Sequence, residues 1–198
     1  AVLNYLARLG WSHGDAEVFS MEEFCNWFGL DHITPSAAQF NTEKLNWLNA
    51  HYLKAADDQR LVGEVRRRLD KQGVQVDVGA ETLDLARVVA LYKERATNLN
   101  ELADAVHPFL VTPHASAELK AQHLTDAARA ALATLRDKLA AVADWQVPAL
   151  SQAIKESAAA HGMKMPQVAI PLRVALLGQP QSPSIDAVLA VMGKERVL

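Results

Sequence analysis

Apolar residues recur every three or four positions along most of the chain, which is the spacing of amphipathic helices. One short segment, Val74–Val78, alternates like a strand instead. Because no second strand is available to pair with it, we predict an extended connector there. The fold is therefore predicted to be all-α, and the first helix is predicted to pack on a core. The apolar stripes that predict these helices are Val2, Leu3, Tyr5, Leu6 and Leu9; Leu45, Leu48, Tyr52 and Ala55; Leu61, Val62, Val65 and Leu69; Leu83, Leu85, Val88, Val89 and Tyr92; Leu132, Leu135, Leu139 and Val142; and Leu150, Ile154 and Ala158.

Several helix starts carry recognisable N-terminal signals. Ser20 with Glu23 three residues later predicts a capping box, and the flanking Phe19 and Phe24 predict a hydrophobic staple. Asn41 is predicted to cap the next helix in the same way. These signals fix where the helices of the N-terminal region begin.

Proline-containing breaks divide the chain into predicted units. Thr34-Pro35 lies in a connector within the first unit, and His107-Pro108 and Thr112-Pro113 mark a later seam. We predict a small helical unit over residues 1–58, a second over 59–110, and an alanine-rich helical cage over 111–198.

Composition limits the chemistry. With 20 basic and 23 acidic residues the formal charge is −3, so any RNA contact must come from local basic clusters. Cys25 is the only cysteine, which excludes an internal disulfide and a multi-cysteine zinc site. No pair of histidines has the spacing of helical metal ligands, so no metal site is predicted. The histidines in question are His107, His114, His123 and His161.

The cellular context follows from what the sequence lacks. No apolar run approaches the roughly 20 residues of a membrane span, and no signal peptide is recognisable. We expect a cytoplasmic monomer without membrane contact. Because the chain starts at Ala1 within a predicted helix, we also expect it to be part of a longer protein.

Two basic features are candidates for phosphate or base contacts. The helix opened by Asp57-Asp58 turns Arg66, Arg67 and Arg68 largely outward, although a simply solvated helix face is an equally good interpretation. Arg95 lies at a break between two helices, the second capped by Asn98 with Glu101 three residues on. Arg95 either reaches outward or neutralises carbonyls at the end of its own helix.

The stretch from Ile170 to Ser184 places a lone Arg173 inside an apolar helix, where its guanidinium must stay hydrated or paired at the helix edge. Gly178 is predicted to end that helix. Ser182 before Pro183 is predicted to cap the next helix and aim its free N–H groups at Arg173, where an anion could bind. The alternative is a helical hairpin that closes the core, with Arg173 in a salt bridge.

These residues, taken with the chain's end, carry a resemblance. The segments Pro171-Leu172-Arg173, Ser182-Pro183 and Gly193-Lys194-Glu195-Arg196 resemble the anticodon-binding region of bacterial glutamyl-tRNA synthetases. Leu9–Asp15 and Lys44–Asn49 resemble the stem-contact region of that family. The resemblance implies binding of the anticodon arm and stem of glutamate tRNA, within a parent enzyme that uses ATP and magnesium to ligate glutamate.

The family's signature segments for ATP binding are missing from this chain. We therefore expect no catalytic residue and no cofactor in it, and a separate N-terminal catalytic domain as its partner. The competing hypothesis is a non-enzymatic helical scaffold that docks another protein through its alanine-rich faces and never contacts RNA.

The resemblance also implies site residues. The family's anticodon contacts correspond here to Arg95, Arg173, Ser182 and Ile185, with Arg95 reading the third anticodon base. The family's best-studied form has threonine and leucine where Ser182 and Ile185 stand. The serine keeps the hydroxyl and the isoleucine keeps the apolar surface.

Overall fold

A computed structural model describes residues 1–34, 39–74 and 83–198, and the part of the chain that it describes is built from α-helices. Those residues contain no strand, only an isolated bridge between Trp11 and Ile33, so the all-α prediction is confirmed. Pro35 and the segment 75–78, for which a connector was predicted, lie outside the described residues. Single 3₁₀ turns span Leu30–His32 and His107–Phe109. The helices are α1 Val2–Ala7, α2 Met21–Trp27, α3 Thr42–Ala55, α4 Asp58–Lys71, α5 Leu85–Lys93, α6 Leu99–Val106, α7 Ala117–His123, α8 Asp126–Ala141, α9 Val147–Ala160, α10 Met165–Leu177, α11 Ile185–Met192 and α12 Lys194–Val197.

The predicted N-terminal signals form as expected. The N–H of Glu23 donates to Ser20 Oγ at 3.1 Å, and the N–H of Ser20 donates to the Glu23 carboxylate at 2.7 Å. The rings of Phe19 and Phe24 stack with their centroids 5.8 Å apart. Asn41 caps α3 by accepting a hydrogen bond from the N–H of residue 44. The capping box, the staple and the cap are confirmed.

The first helix differs from the prediction. Leu3 and Leu6 are 63% and 52% exposed, and α1 instead buries Asn4 and its neighbour Tyr5. The Asn4 amide donates to the carbonyl of Glu17 at 2.9 Å, and its oxygen accepts from the N–H of residue 19 at 3.2 Å. Because Asn4 is satisfied by the following loop, Val2, Leu3 and Leu6 point outward while Tyr5 is buried. The predicted burial of Tyr5 is confirmed, and the prediction that the leucines of α1 pack beside it on a core is wrong.

One hydrophobic cluster runs from Leu53 on α3 to Met192 on α11. Helices α4, α5 and α6 pack on one another, α8, α9 and α10 do the same, and α11 packs against both α9 and α5. The stripes predicted for α4, α5, α8 and α9 are largely buried in this cluster, which confirms them. The packing of α11 on α5 places the loop after α5 beside the loop before α11. The division into units at residues 58 and 110 stays a prediction.

Contacts with α3 and the start of α4 hold the break between α5 and α6 in place. Lys93 Nζ lies 2.7 Å from Asp58 Oδ1 and donates to the carbonyl of Ala56 at 3.0 Å. The Asn49 amide donates to the carbonyl of Thr97 at 2.9 Å. Both ends of the short segment between the two helices are therefore held against α3 and the start of α4.

Candidate nucleic-acid interface

Arg173 occupies the edge of α10, in the last turns before the helix ends. Its side chain is half-buried, as expected for a cation on an otherwise apolar helix. Gly178 ends the helix in the left-handed conformation, with φ of 70°, which confirms the predicted stop. A Cβ at this position would lie 3.2 Å from the carbonyl oxygen of His114, so the chain approaches closely here.

Ser182 does not cap a helix. The N-cap of α11 is Ser184, whose side chain makes no capping bond, and the helix begins at Ile185. Arg173 Nε instead donates to Ser182 Oγ at 2.9 Å, and that hydroxyl donates to the Pro183 carbonyl at 2.7 Å. The predicted cap is wrong because the tertiary contact with Arg173 engages the hydroxyl.

The first turn of α11 carries its own carboxylate. Asp186 Oδ1 accepts a hydrogen bond from the N–H of Ala187 at 2.9 Å. A negative side chain at a helix N-terminus is stabilised by the free N–H groups there. This carboxylate already brings a negative charge to the start of α11 and acts electrostatically on Arg173, and the anion expected opposite Arg173 stays a prediction.

Arg95 lies in the break between α5 and α6, as predicted. Asn98 caps α6 through the N–H groups of residues 100 and 101, and the Glu101 side chain accepts from Thr97. The Arg95 side chain is exposed and its Nη1 donates to the carbonyl of Ser182 at 3.0 Å. Arg95 therefore does not neutralise the end of its own helix; it crosses to the loop before α11.

The two guanidinium groups meet at one loop and border a cleft of about 470 Å³. Ile185 is only 2% exposed, so it contributes to the floor of the cleft rather than to its rim. The lining combines two cations, one carboxylate, two serine hydroxyls, a glutamine amide and apolar side chains, which is the mixture found in ligand sites. The residues that line it are Arg95, Met165, Pro166, Ala169, Ile170, Arg173, Pro180, Gln181, Ser182, Ser184, Ile185 and Asp186.

The two arginines interact electrostatically with Tyr92, a residue that the sequence pattern assigned only to the core. Burial raises the pKa of Tyr92 to about 12, against the opposing effect of Arg95 and Arg173. Its hydroxyl is buried and has no hydrogen-bond partner in the described part of the chain. Burial lowers the pKa of Arg173, and the charge of Arg95 acts in the same direction. An arginine still remains protonated at any physiological pH.

Asp186 and Tyr92 are the residues of this region that sequence reasoning missed. Tyr92 follows the apolar stripe of α5, so its pattern indicated packing and nothing else. Asp186 had a usable signal, since an acidic residue in the first turn after Ser182-Pro183 marks a helix N-terminus. Its proximity to Arg173 depends on tertiary packing and is not visible in the sequence.

Arg66 and Arg67 lie elsewhere, on the exposed face of α4, and do not line the cleft. Arg67 donates to the Glu64 carboxylate at 2.7 Å, and Arg68 contacts the same carboxylate at 3.0 Å. In the described ranges Arg66 forms neither a hydrogen bond nor an ion pair. The predicted basic patch exists, but one carboxylate offsets part of its charge.

The described residues offer neither a metal-binding cluster nor a membrane-spanning helix. Within residues 1–34, 39–74 and 83–198 there is no group of three or more His, Cys, Asp or Glu side chains that could hold a metal ion. No helix in those ranges is long and apolar enough to span a bilayer.

Comparison with known proteins connects this geometry to a family. The family described as "Anticodon binding domain" matches residues 43–198. A glutamate–tRNA ligase of Azoarcus sp. (strain BH72) is 67% identical over 198 residues, covering all of this chain and 42% of that protein. The glutamate–tRNA ligase of Aromatoleum aromaticum is 65% identical over the same length and coverage. The chain thus spans about two fifths of the length of these curated relatives.

Solved structures agree. A crystal structure of a glutamate tRNA ligase from Elizabethkingia meningosepticum, in complex with its amino acid, matches with a TM-score of 0.82 and 25% identity. That match covers 99% of this chain and 38% of the solved one. The match includes the helices that build the cleft, and the resemblance found in the sequence is confirmed. The chain belongs to the anticodon binding domain family, in the form that glutamate–tRNA ligases carry.

Proposed function

We propose that this chain binds the anticodon arm of glutamate tRNA through the cleft between α10, α11 and the α5–α6 break. The observation that carries the proposal is the convergence of Arg95 and Arg173 on Ser182, one on its carbonyl and the other on its hydroxyl. Anticodon loops present unstacked bases, and proteins bind such bases with stacked or hydrogen-bonding side chains, arginine among them. Two pre-oriented guanidinium forks suit that task.

Each arginine keeps donors for a ligand. Arg95 uses Nη1 and Arg173 uses Nε for Ser182, and among the described residues their other N–H groups have no acceptor. A guanidinium has five donors in a rigid plane, so one bond to the protein leaves an edge to meet a base. Ser182 orients both forks, and Ile185 adds apolar surface below them. These four residues are proposed as the anticodon contacts.

Arg66 and Arg67 are proposed as contacts to the phosphate backbone rather than to bases. They are exposed on α4, and Arg66 has no protein partner in the described part of the chain. Long exposed cations attract RNA through charge, without sequence preference. Each is expected to contribute to affinity and to its salt dependence only.

The parent protein is proposed to be a cytoplasmic, monomeric glutamate–tRNA ligase that uses ATP and magnesium in a catalytic domain N-terminal to this chain. The names of the relatives and their greater length support this. No residue of this chain is assigned to ATP or to magnesium. Its role is to bind the tRNA that the catalytic domain would charge.

The surface of the first forty-seven residues supports contact with such a domain. Most of the large apolar side chains exposed in the structure lie there. Large exposed apolar patches are uncommon outside interfaces, so this surface is a candidate interface. Nearly all of them precede residue 43, where the family match begins. We propose that this surface contacts the catalytic domain. Its exposed apolar residues are Val2, Leu3, Leu6, Met21, Phe28, Leu30, Ile33, Phe40 and Trp47.

Anisotropy titration of a labelled glutamate anticodon stem-loop tests the RNA proposal, with the stem-loop of an unrelated tRNA as reference. The chain is expected to bind the glutamate stem-loop more tightly, with an affinity that falls as salt rises. Arg95→Ala combined with Arg173→Ala removes the preference. A matched double variant, Arg129→Ala with Arg136→Ala, lies outside the cleft and keeps it.

Equal affinity for both stem-loops, unchanged by the cleft variant, would overturn the assignment of the cleft. Absence of binding to either stem-loop at low salt would instead favour the scaffold hypothesis, for which no observation in the structure speaks.

A further inference from the structure

We infer that Asp186 is a specificity-determining residue of the cleft, accepting a hydrogen bond from the exocyclic amino group of the anticodon's third base. That base is a cytosine, because it pairs with the guanine that begins the glutamate codons. This inference rests on the proposed RNA-binding function and deepens it. Sequence resemblance pointed to donors only, namely Arg95, Arg173 and the hydroxyl of Ser182. The structure adds an acceptor to the same cleft.

Asp186 is placed to face a ligand. It is half-buried and lines the cleft with both arginines. Its Oδ1 accepts from the N–H of Ala187, whereas in the described residues Oδ2 has no hydrogen-bond or ion-pair partner. Arg173 is close enough for the carboxylate to influence its guanidinium, yet the two do not form an ion pair within 4.0 Å. A carboxylate that stands beside two arginines without pairing has acceptor capacity left for a third group.

The hydroxyl of Ser182 cannot donate to a base, and it offers only one neutral lone pair as a further acceptor. It accepts from Arg173 Nε and donates its single proton to the Pro183 carbonyl. The charged groups left for a base are therefore the free N–H groups of two guanidiniums and one carboxylate oxygen, beside the neutral side chains of Gln181 and Ser184. Among the charged groups, which form the stronger hydrogen bonds, the cleft presents several donors beside one acceptor.

Cytosine is the complement of that set. Its pairing edge has two adjacent acceptors, O2 and N3, next to one amino donor, N4. Uracil has a donor between two acceptors, guanine has two donors beside one acceptor, and adenine has one of each. Aspartate accepting from cytosine N4 and arginine donating to base acceptors are both established modes of base readout. A uracil in this orientation would bring its O4 against the carboxylate.

The test compares stem-loops that differ in one functional group. Glutamate anticodon stem-loops are synthesised with cytidine or with 2-pyrimidinone riboside at the third anticodon position; the latter lacks only the amino group. For the wild-type chain, removal of the amino group is expected to reduce affinity about five- to 150-fold. For Asp186→Ala the two stem-loops are expected to bind alike.

Two further variants separate readout from helix stability. Asp186→Asn keeps an acceptor oxygen and is expected to retain part of the preference for cytidine. Asp126→Ala removes the first-turn acid of α8, outside the cleft, and is expected to lower the melting temperature slightly without changing the preference.

The outcomes are distinct. If Asp186→Ala still prefers cytidine as strongly as the wild type, Asp186 only stabilises the start of α11 and the inference is wrong. If the wild type binds the stem-loop but ignores the amino group, the inference is also wrong while RNA binding stands. If the wild type binds no stem-loop, the proposed function itself fails.

Discussion

Replacing Arg173 with alanine separates the cleft's role in binding from its role in folding. Arg173 contributes one hydrogen bond to the folded protein, from Nε to Ser182 Oγ at 2.9 Å, in a half-buried position. Its remaining donors face the cleft. The variant should therefore lose little stability and much affinity.

The magnitudes follow from these contacts. The net contribution of one hydrogen bond to stability is about 0.5–1.5 kcal/mol. For a chain of this size that corresponds to a fall in melting temperature of roughly 1–6 °C. A guanidinium contact to a base is worth about 1–3 kcal/mol, or about five- to 150-fold in affinity. The loss in binding free energy should therefore exceed the loss in folding stability.

Arg129 provides a matched control. Its Nε also donates a single hydrogen bond at 2.9 Å, to the carbonyl of Leu124, but it lies outside the cleft. Arg129→Ala should lower the melting temperature by a similar amount and leave stem-loop affinity unchanged. Thermal denaturation and anisotropy titration of the two variants, side by side, give both quantities.

The reasoning would be refuted in either of two ways. A collapse of the melting temperature for Arg173→Ala, with normal binding by the protein that remains folded, would make Arg173 a structural arginine. Equal affinity losses for Arg173→Ala and Arg129→Ala would show that only general charge attraction is being measured.

Other predictions concern specificity, backbone and pH. Arg95→Gln should narrow the preference for a third-base cytosine over guanine by about five- to 150-fold in the ratio of stem-loop affinities; an equal loss for both bases would assign Arg95 to the backbone. Gly178→Ala should destabilise the fold by about 1–3 kcal/mol in chemical denaturation, because φ is positive and a backbone carbonyl lies 3.2 Å from the new Cβ. Gly162→Ala, with a similar φ and open space around it, should cost less; equal losses would show that the close approach is unimportant. Hydrogen bonds from Thr97 lower the pKa of Glu101 below 4.5 in the folded protein. The stability that wild type gains over Glu101→Gln should thus be complete above about pH 5 and fade as the pH falls through the folded pKa, as pH-dependent denaturation would show; a constant difference down to pH 3 would contradict it.

Features encoded within a few residues were predictable. The capping box of Ser20 and Glu23, the cap at Asn98 and the helix stop at Gly178 each depend on groups at most four residues apart. Such signals determine local hydrogen bonds whatever the rest of the chain does. The apolar stripes of α4 and α9 were equally clear, because most of their apolar residues are buried in one core.

Features that depend on distant partners were not predictable. Ser182 and Ser184 both stand where a helix could begin, and only the contact with Arg173 decides that Ser182 is not the cap. The outward turn of Leu3 and Leu6 depends on how Asn4 is satisfied by a loop more than ten residues away. Pattern alone gives a stripe but not the surface against which the stripe packs.

The arginine side chains of the cleft are pre-organised for RNA binding. Lys93 and Thr97 anchor the segment that carries Arg95 to the preceding helices, and Ser182 then holds the guanidinium groups of Arg95 and Arg173. Ordering one long side chain on binding costs about 0.5–1.5 kcal/mol, and two arginines that are already bonded avoid much of that cost. Since their bonds to Ser182 involve one nitrogen each, the remaining donors point in fixed directions. Specificity in this cleft therefore arises from the loop that orients the arginines as much as from the arginines themselves. A change of the Ser182 side chain should release Arg173 and leave the main-chain contact of Arg95 in place.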